Sequence, residues 1–167
     1  AEEKQKFNPA LYTLPVLYLN GDTTGMDKDN AVTLEYKWKE HEGTLTCKWQ
    51  GNSSLSFPKK NYTLKFDNEF EAVEGWGAQK KYCMKANYND FTQSRNVVSA
   101  KIWGEIVRTR TPVNDVLAAC ANYGAIDGFP IAIVLNGEFL GVYCFNIPKD
   151  GWMMNMGSGT HEAILCA

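Results

Sequence analysis

The feature that most constrains this chain is the dipeptide Asn136-Gly137, set between the runs FPIAIVL and EFLGVYCFNI. Asn and Gly both tolerate positive φ, and a two-residue turn built from them matches the twist of the strands it joins. The pattern therefore predicts a β-hairpin. Other strands follow from alternation. LPVLYL, from Leu14 to Leu19, reads as a short apolar strand closed by the turn NGDTTG. AVTLEYKW and TLTCKW alternate on either side of KEHEG and read as a second hairpin, with Val32, Leu34, Tyr36 and Trp38 sharing a face. KNYTLKF continues the alternation through Tyr62, Leu64 and Phe66. After the acidic excursion DNEFEAVEGWG the chain returns as the strand QKKYCMKA, and HEAILCA is expected to form a last strand.

One stretch has a helical period instead. Asp90, followed three residues later by Gln93, reads as a capping box for a helix from Phe91 to Arg110, in which Phe91, Arg95, Val98, Ile102 and Ile106 form one stripe. Val97 and Trp103 widen the stripe at its edges. A weaker helix is expected around Asp115 to Ala121, before an NYG turn. The expected fold is α+β: a mostly antiparallel sheet with one long amphipathic helix packed on it. Residues 1–10 read as a charged lead-in arm and residues 11–167 as a single domain.

Composition serves to exclude. The 167 residues, 44% hydrophobic and 13% aromatic, suit one packed domain. No apolar run approaches the roughly 20 residues that span a bilayer, so no membrane partner is expected. Seventeen basic against nineteen acidic residues leave a net charge of -2, which argues against a nucleic-acid partner and requires any anion to be bound locally. Cys47, Cys83, Cys120, Cys144 and Cys166 are odd in number and form no CxxC pair, as expected of free thiols made in a reducing compartment. His41 and His161 lie too far apart in sequence to suggest a paired-histidine metal site.

The candidate chemistry is therefore cationic. GNSSLSFPKK combines glycine, the hydroxyls of Ser53 and Ser54 and two lysines, the ingredients of an anion cradle, though it lacks the P-loop spacing GxxxxGK[ST]. Against this stands the ordinary use of such residues in connecting loops. Lys85 sits on the strand that precedes the long helix, and Glu105 lies on that helix. A strand lysine facing a helix glutamate can hold nucleotide phosphates. The plain alternative is a snorkelling lysine and an exposed glutamate. Lys60 and Lys65 on the preceding strand compete with Lys85. Trp38, Trp49 and Trp103 fall at core-facing positions, which leaves Trp76 and Trp152, both beside Gly in loops, as candidates for stacking against a glycan.

Three blocks in order, QGNSSLSFPKKNYTLKF, KYCMKANYNDFTQSRNVVSAKIW and FPIAIVLNGEFLGVYCFNIPKDGW, resemble the N-terminal part of the CotH family of atypical protein kinases. The middle block is similar to the family's strand, Asn/Asp turn and helix opening with Arg95 and Asn96, and the third to its "NGEYLGVY" hairpin. The wording, with LYLNGDTTGM, AIDGFP and IPKDGW, is nearest to CotH-type domains of tail-associated proteins of phages and prophages of Gram-positive bacteria.

The resemblance implies a kinase small-lobe-like fold and a nucleotide-binding lysine, Lys85 first and Lys60 second, with Glu105 or Arg95 contributing from the helix. It implies ATP and Mg²⁺ as cofactors only in company with a C-terminal lobe. The catalytic aspartate and metal ligands follow the small lobe in such folds, and after the Asn136-Gly137 hairpin the only carboxylates are Asp150 and Glu162. The expected role is thus a nucleotide-facing lobe, not catalytically complete alone, whose partner is the C-terminal remainder of its parent. The alternatives are a structural or attachment module among tail or coat proteins, virion-associated after synthesis in a bacterial cytoplasm, and, more weakly, a glycan-binding module.

Overall fold

A computed structural model of the protein describes residues 13–110 and 115–156. The expected arm at 1–10 and the expected strand HEAILCA lie outside the described residues. Seven strands lie among the described residues: β1 (Val16–Asn20), β2 (Val32–Trp38), β3 (His41–Gln50), β4 (Asn61–Phe70), β5 (Gln79–Lys85), β6 (Gly128–Leu135) and β7 (Glu138–Asn146). The helices are α1 (Arg95–Arg108) and the short α2 (Asp115–Ala118), with 3-10 turns at Ser53–Ser56, Ala121–Gly124 and Gly151–Met154.

The strands close into a barrel in the order β1-β2-β3-β4-β5-β7-β6. This corrects the expected α+β, small-lobe-like sheet carrying a packed helix. Neighbours pair antiparallel except at the closure, where β1 runs parallel to β6 with Val16 opposite Ala132 and Leu19 opposite Leu135. The parallel seam removes both open edges, which would otherwise expose unpaired backbone donors and acceptors.

Each hairpin is built as alternation predicts. Leu34, Tyr36 and Trp38 on β2 point inward, as do Leu45 and Cys47 on β3 and Leu64 and Phe66 on β4. Asn136 and Gly137 take φ of 51° and 80°, the paired positive values that a tight two-residue turn requires, and Leu135 faces Glu138 across it. The Asn136 side chain also reaches the far end of β1, accepting from the Gly21 N–H at 2.9 Å and donating to the Gly21 carbonyl at 3.0 Å. The hairpin tip is thereby fastened across the seam.

The barrel interior is filled. Trp38 stacks on Phe145 at 5.4 Å between ring centroids, Tyr82 on Phe145 at 4.8 Å, and Tyr36 meets Phe66 edge-on at 4.7 Å. The lumen of this small barrel is therefore a core, and a ligand must bind outside the wall.

Helix α1 lies on the outside of the barrel, and its packing reverses the predicted stripe. Val97 and Gly104 are its buried residues, whereas Val98, Ile102, Trp103 and Ile106 are about half exposed and Phe91 is 99% exposed. Gly104 is buried because the Asn122 side chain lies against it; a Cβ there would stand 1.9 Å from Asn122 Oδ1. Asn122 Nδ2 donates to the carbonyls of Ala100 and Ile126. The Lys101 ammonium meets Asp127 at 3.0 Å, and the same carboxylate accepts from Trp76 Nε1. Polar ties and one close glycine contact thus hold the helix, where an apolar face on a sheet was expected. Trp103, expected in the core, is 52% exposed on it.

The helix also starts later than predicted. Gln93 takes a φ of +55°, which breaks the helical path, so α1 begins at Arg95. No capping box forms. Asp90 accepts from the backbone N–H groups of Thr92 and Arg95, while Gln93 Nε2 donates back to the carbonyls of Ala86, Asn87 and Asp90.

Candidate functional site

Strand alternation puts Tyr82 and Met84 of β5 in the core and leaves Cys83 and Lys85 on the outer face. There the barrel wall, the loop after β3 and the first turns of α1 enclose a cleft of about 630 Å³. Four basic side chains line it, Lys59, Lys85, Arg95 and Lys149, against one carboxylate, Asp90. In a chain of net charge -2 this is a local concentration of positive charge.

The loop wall is fixed by its own polar groups. Gly51, at φ +127°, lets the chain fold back so that Ser54 Oγ sits where a Cβ would otherwise be, at 2.0 Å. Asn61 then joins the loop to β5: its Nδ2 donates to Ser54 Oγ and its Oδ1 accepts from the Ala86 N–H at 2.7 Å. Phe57 stacks on Tyr88 at 4.9 Å at the cleft wall.

Lys59 crosses beneath this loop. Its ammonium donates to the carbonyls of Ala86 and Val142 and lies 4.3 Å from the centre of the Tyr143 ring. Lys85 donates to the side-chain oxygen of Gln50, which in turn donates to Cys83 Sγ. Burial draws the pKa of both lysines below its ordinary value; for Lys85 the nearby Lys149 adds to the shift and Cys83 opposes it. Neither lysine has a carboxylate partner among the described residues. Two partly buried ammonium groups met only by neutral oxygens and, at Lys59, an aromatic ring keep their charge uncompensated, the condition under which an incoming anion gains most.

Asp90 does little to offset them. Its carboxyl is held below the usual range by the Thr92 hydroxyl first and by the Arg95 N–H and charge as well, so it is ionised and committed to the start of α1. Among the described residues no cluster of three or more His, Cys, Asp or Glu is placed to hold a metal.

The family whose model matches the chain is described as CotH kinase protein, over residues 47–145. This chain belongs to the CotH family. No curated protein matches it. The matched span in this CotH domain runs from β3 to β7 and carries most of the cleft, with Lys149 just beyond it.

The sequence candidates divide around the CotH cleft. Lys85, Arg95 and Ser54 line it. Lys60 does not: its ammonium donates to the carbonyls of Leu55 and Phe57, closing the 3-10 turn, and sits 5.2 Å from the Trp49 ring. Ser53 supplies the carbonyl that accepts from Ser56 and does not line the cleft. Lys65 is exposed on β4, opposite Lys81 of β5. Glu105 pairs with Arg108 on the exposed side of α1, so Lys85 has an amide from β3 where a helix carboxylate was expected. Trp76 is buried and donates to Asp127, and Trp152 packs partly buried against the core. Lys59 and Lys149 were not singled out from sequence. The doublet Lys59-Lys60 was the available signal, and alternation could not say which lysine turned inward.

The described cysteines Cys47, Cys83 and Cys144 are buried free thiols, and Cys120 is buried as well. Burial pushes Cys47 to about 12 and Cys144 to about 11, so both remain protonated near neutrality. No described helix is long and apolar enough to cross a membrane.

Proposed function

We propose that this domain is the nucleotide-facing part of a CotH-like kinase, holding the phosphates of ATP in the cleft outside β5 and β7. The observation that carries the reading is the convergence of Lys59, Lys85, Lys149 and Arg95 on one space with a single, already committed carboxylate. Lys85 and Lys59 would contact phosphate oxygens, and Arg95 would approach from the start of α1. Bound ATP would supply the transferable phosphoryl group. Asp90, the one carboxylate of the described lining, is already committed to the start of α1, so a base for transfer would come from a C-terminal partner segment.

Titration calorimetry with ATP, with and without Mg²⁺, tests this directly. The chain should bind one equivalent, and K59A and K85A should each weaken binding by about tenfold or more, the worth of a charge-assisted hydrogen bond. Absence of any ATP binding by the unaltered chain would overturn the proposal.

The exposed stripe of Val98, Ile102, Trp103 and Ile106 favours a second reading, an attachment module among phage or prophage tail or coat proteins. That reading expects the domain in purified particles, and its absence from them removes it.

A further inference from the structure

The barrel seam ends in two Asn-Gly pairs, Asn20-Gly21 at the end of β1 and Asn136-Gly137 just past β6, each preceded by a leucine. Because β1 and β6 run parallel with Leu19 opposite Leu135, the two pairs leave the barrel side by side. Asn136 fastens them. Its N–H donates to the Leu19 carbonyl at 2.8 Å, its Oδ1 accepts from the Gly21 N–H at 2.9 Å, and its Nδ2 donates to the Gly21 carbonyl at 3.0 Å. Both asparagines and both glycines are exposed, so water reaches them.

Asparagine is a thermolabile residue, and a following glycine has no Cβ to hinder attack on its side chain. The glycine backbone nitrogen, on losing its proton, bonds to the Asn side-chain carbonyl carbon. The bond from that carbon to the amide nitrogen breaks, and ammonia leaves behind a five-membered succinimide. Water then opens the ring at either carbonyl to give Asp or isoAsp. The net change is water taken up and ammonia released, with no oxidation or reduction.

In the closed seam one side chain obstructs both attacks. The Asn136 amide is held at its oxygen and its nitrogen by Gly21, and so cannot turn back onto Gly137. The nitrogen that would attack Asn20 is that of Gly21, and its N–H is engaged by Asn136 Oδ1. We propose that the seam end is a self-modification site of two Asn-Gly pairs, guarded by the Asn136 side chain and converted to Asp or isoAsp when the seam opens.

Conversion then hinders reclosing. At position 136 a carboxylate oxygen replaces the donor that faces the Gly21 carbonyl, and the iso product adds a backbone methylene to a turn that needs two successive positive φ values. At position 20 the new charge stands opposite Glu35 of β2, an unfavourable like-charge cross-strand pair. A transient opening thereby leaves a covalent record.

Peptide mass mapping of the chain held in mildly alkaline buffer follows both sites, with the urea-unfolded chain as reference. Each pair should convert at least about tenfold more slowly in the folded chain, because only the locally open fraction reacts. N136G keeps a residue suited to the positive φ of the turn and removes only the guarding side chain. In it Asn20 should convert about fivefold or more faster than in the unaltered folded chain, as loss of the side-chain hydrogen bonds allows. C47A, which truncates a buried core residue of β3 away from the seam, controls for lower overall stability and should speed Asn20 far less. N136D, the direct product, should quicken amide exchange in β1. Equal rates at Asn20 in the unaltered chain and N136G, equal acceleration by N136G and C47A, or no protection relative to the unfolded chain would overturn the proposal. Unchanged exchange in N136D would overturn its claim that conversion hinders reclosing.

Discussion

Lys85 shows how a buried charge can be kept available. Its depressed pKa records the cost of desolvation, and Gln50 is the acceptor that offsets part of it. A neutral amide orients the ammonium without cancelling its charge, whereas a carboxylate would satisfy it and compete with any incoming anion. Gln50→Leu leaves the charged lysine without that acceptor, and the expected loss of stability near neutral pH is about 1–3 kcal/mol. The sign with pH follows from the lowered folded-state pKa. Between that value and the unfolded value of 10.5 the unfolded chain binds more protons, so this lysine makes stability rise with pH across the window. Above it the lysine is neutral in both variants, and the difference between Gln50→Leu and the unaltered chain should shrink. Urea unfolding of both proteins at pH 7 and at pH 11 measures it. A difference of the same size at both values would mean that Gln50 acts through packing and not through the charge.

At the scale of elements, legibility followed how local the determining physics is. The strands were readable because inward positions such as Leu34, Tyr36 and Trp38 repeat at period two within a few residues. The Asn136-Gly137 turn was readable because both positive φ values belong to residues that tolerate them. Helix α1 was located but its orientation was misread. The apolar stripe through Val98, Ile102 and Ile106 is the stronger periodic signal, yet the helix is seated by Gly104 against Asn122 and by Lys101 against Asp127, contacts that no hydropathy pattern encodes. Its first turn was also misplaced, because a positive φ at Gln93 is unusual for a residue with a side chain and stands only because three carbonyls accept from its amide. The cleft was half legible for the same reason. Lys85 was marked by its place on the strand before the helix, while Lys59 and Lys149 enter through loops whose paths depend on Gly51, Asn61 and the end of β7.

At the scale of the molecule, barrel closure was beyond the sequence because β1 and β6 are separated by more than 100 residues and nothing local specifies their parallel register. Closure has a mechanical consequence for the site. The cleft wall is made by β5 and β7, and β7 pairs with β6, so the seam between β1 and β6 keeps this wall from being the free end of a sheet. Leu17 sits at that seam, fully buried, with Trp38 of β2 on one side and Ile133 of β6 on the other. Leu17→Ala should cost about 2–5 kcal/mol through lost burial and the cavity left behind. Because the seam joins the chain's two distant halves, native-state amide exchange should quicken in β1 and, across it, in Ile133 to Leu135 of β6, while β3 and β4 on the opposite side of the barrel keep a larger share of their protection. Denaturant unfolding gives the first quantity and exchange mass spectrometry the second. Faster exchange confined to β1 and β2 would mean that β1 is only an appended strand and that the wall carrying Lys85 is held by β5, β6 and β7 alone.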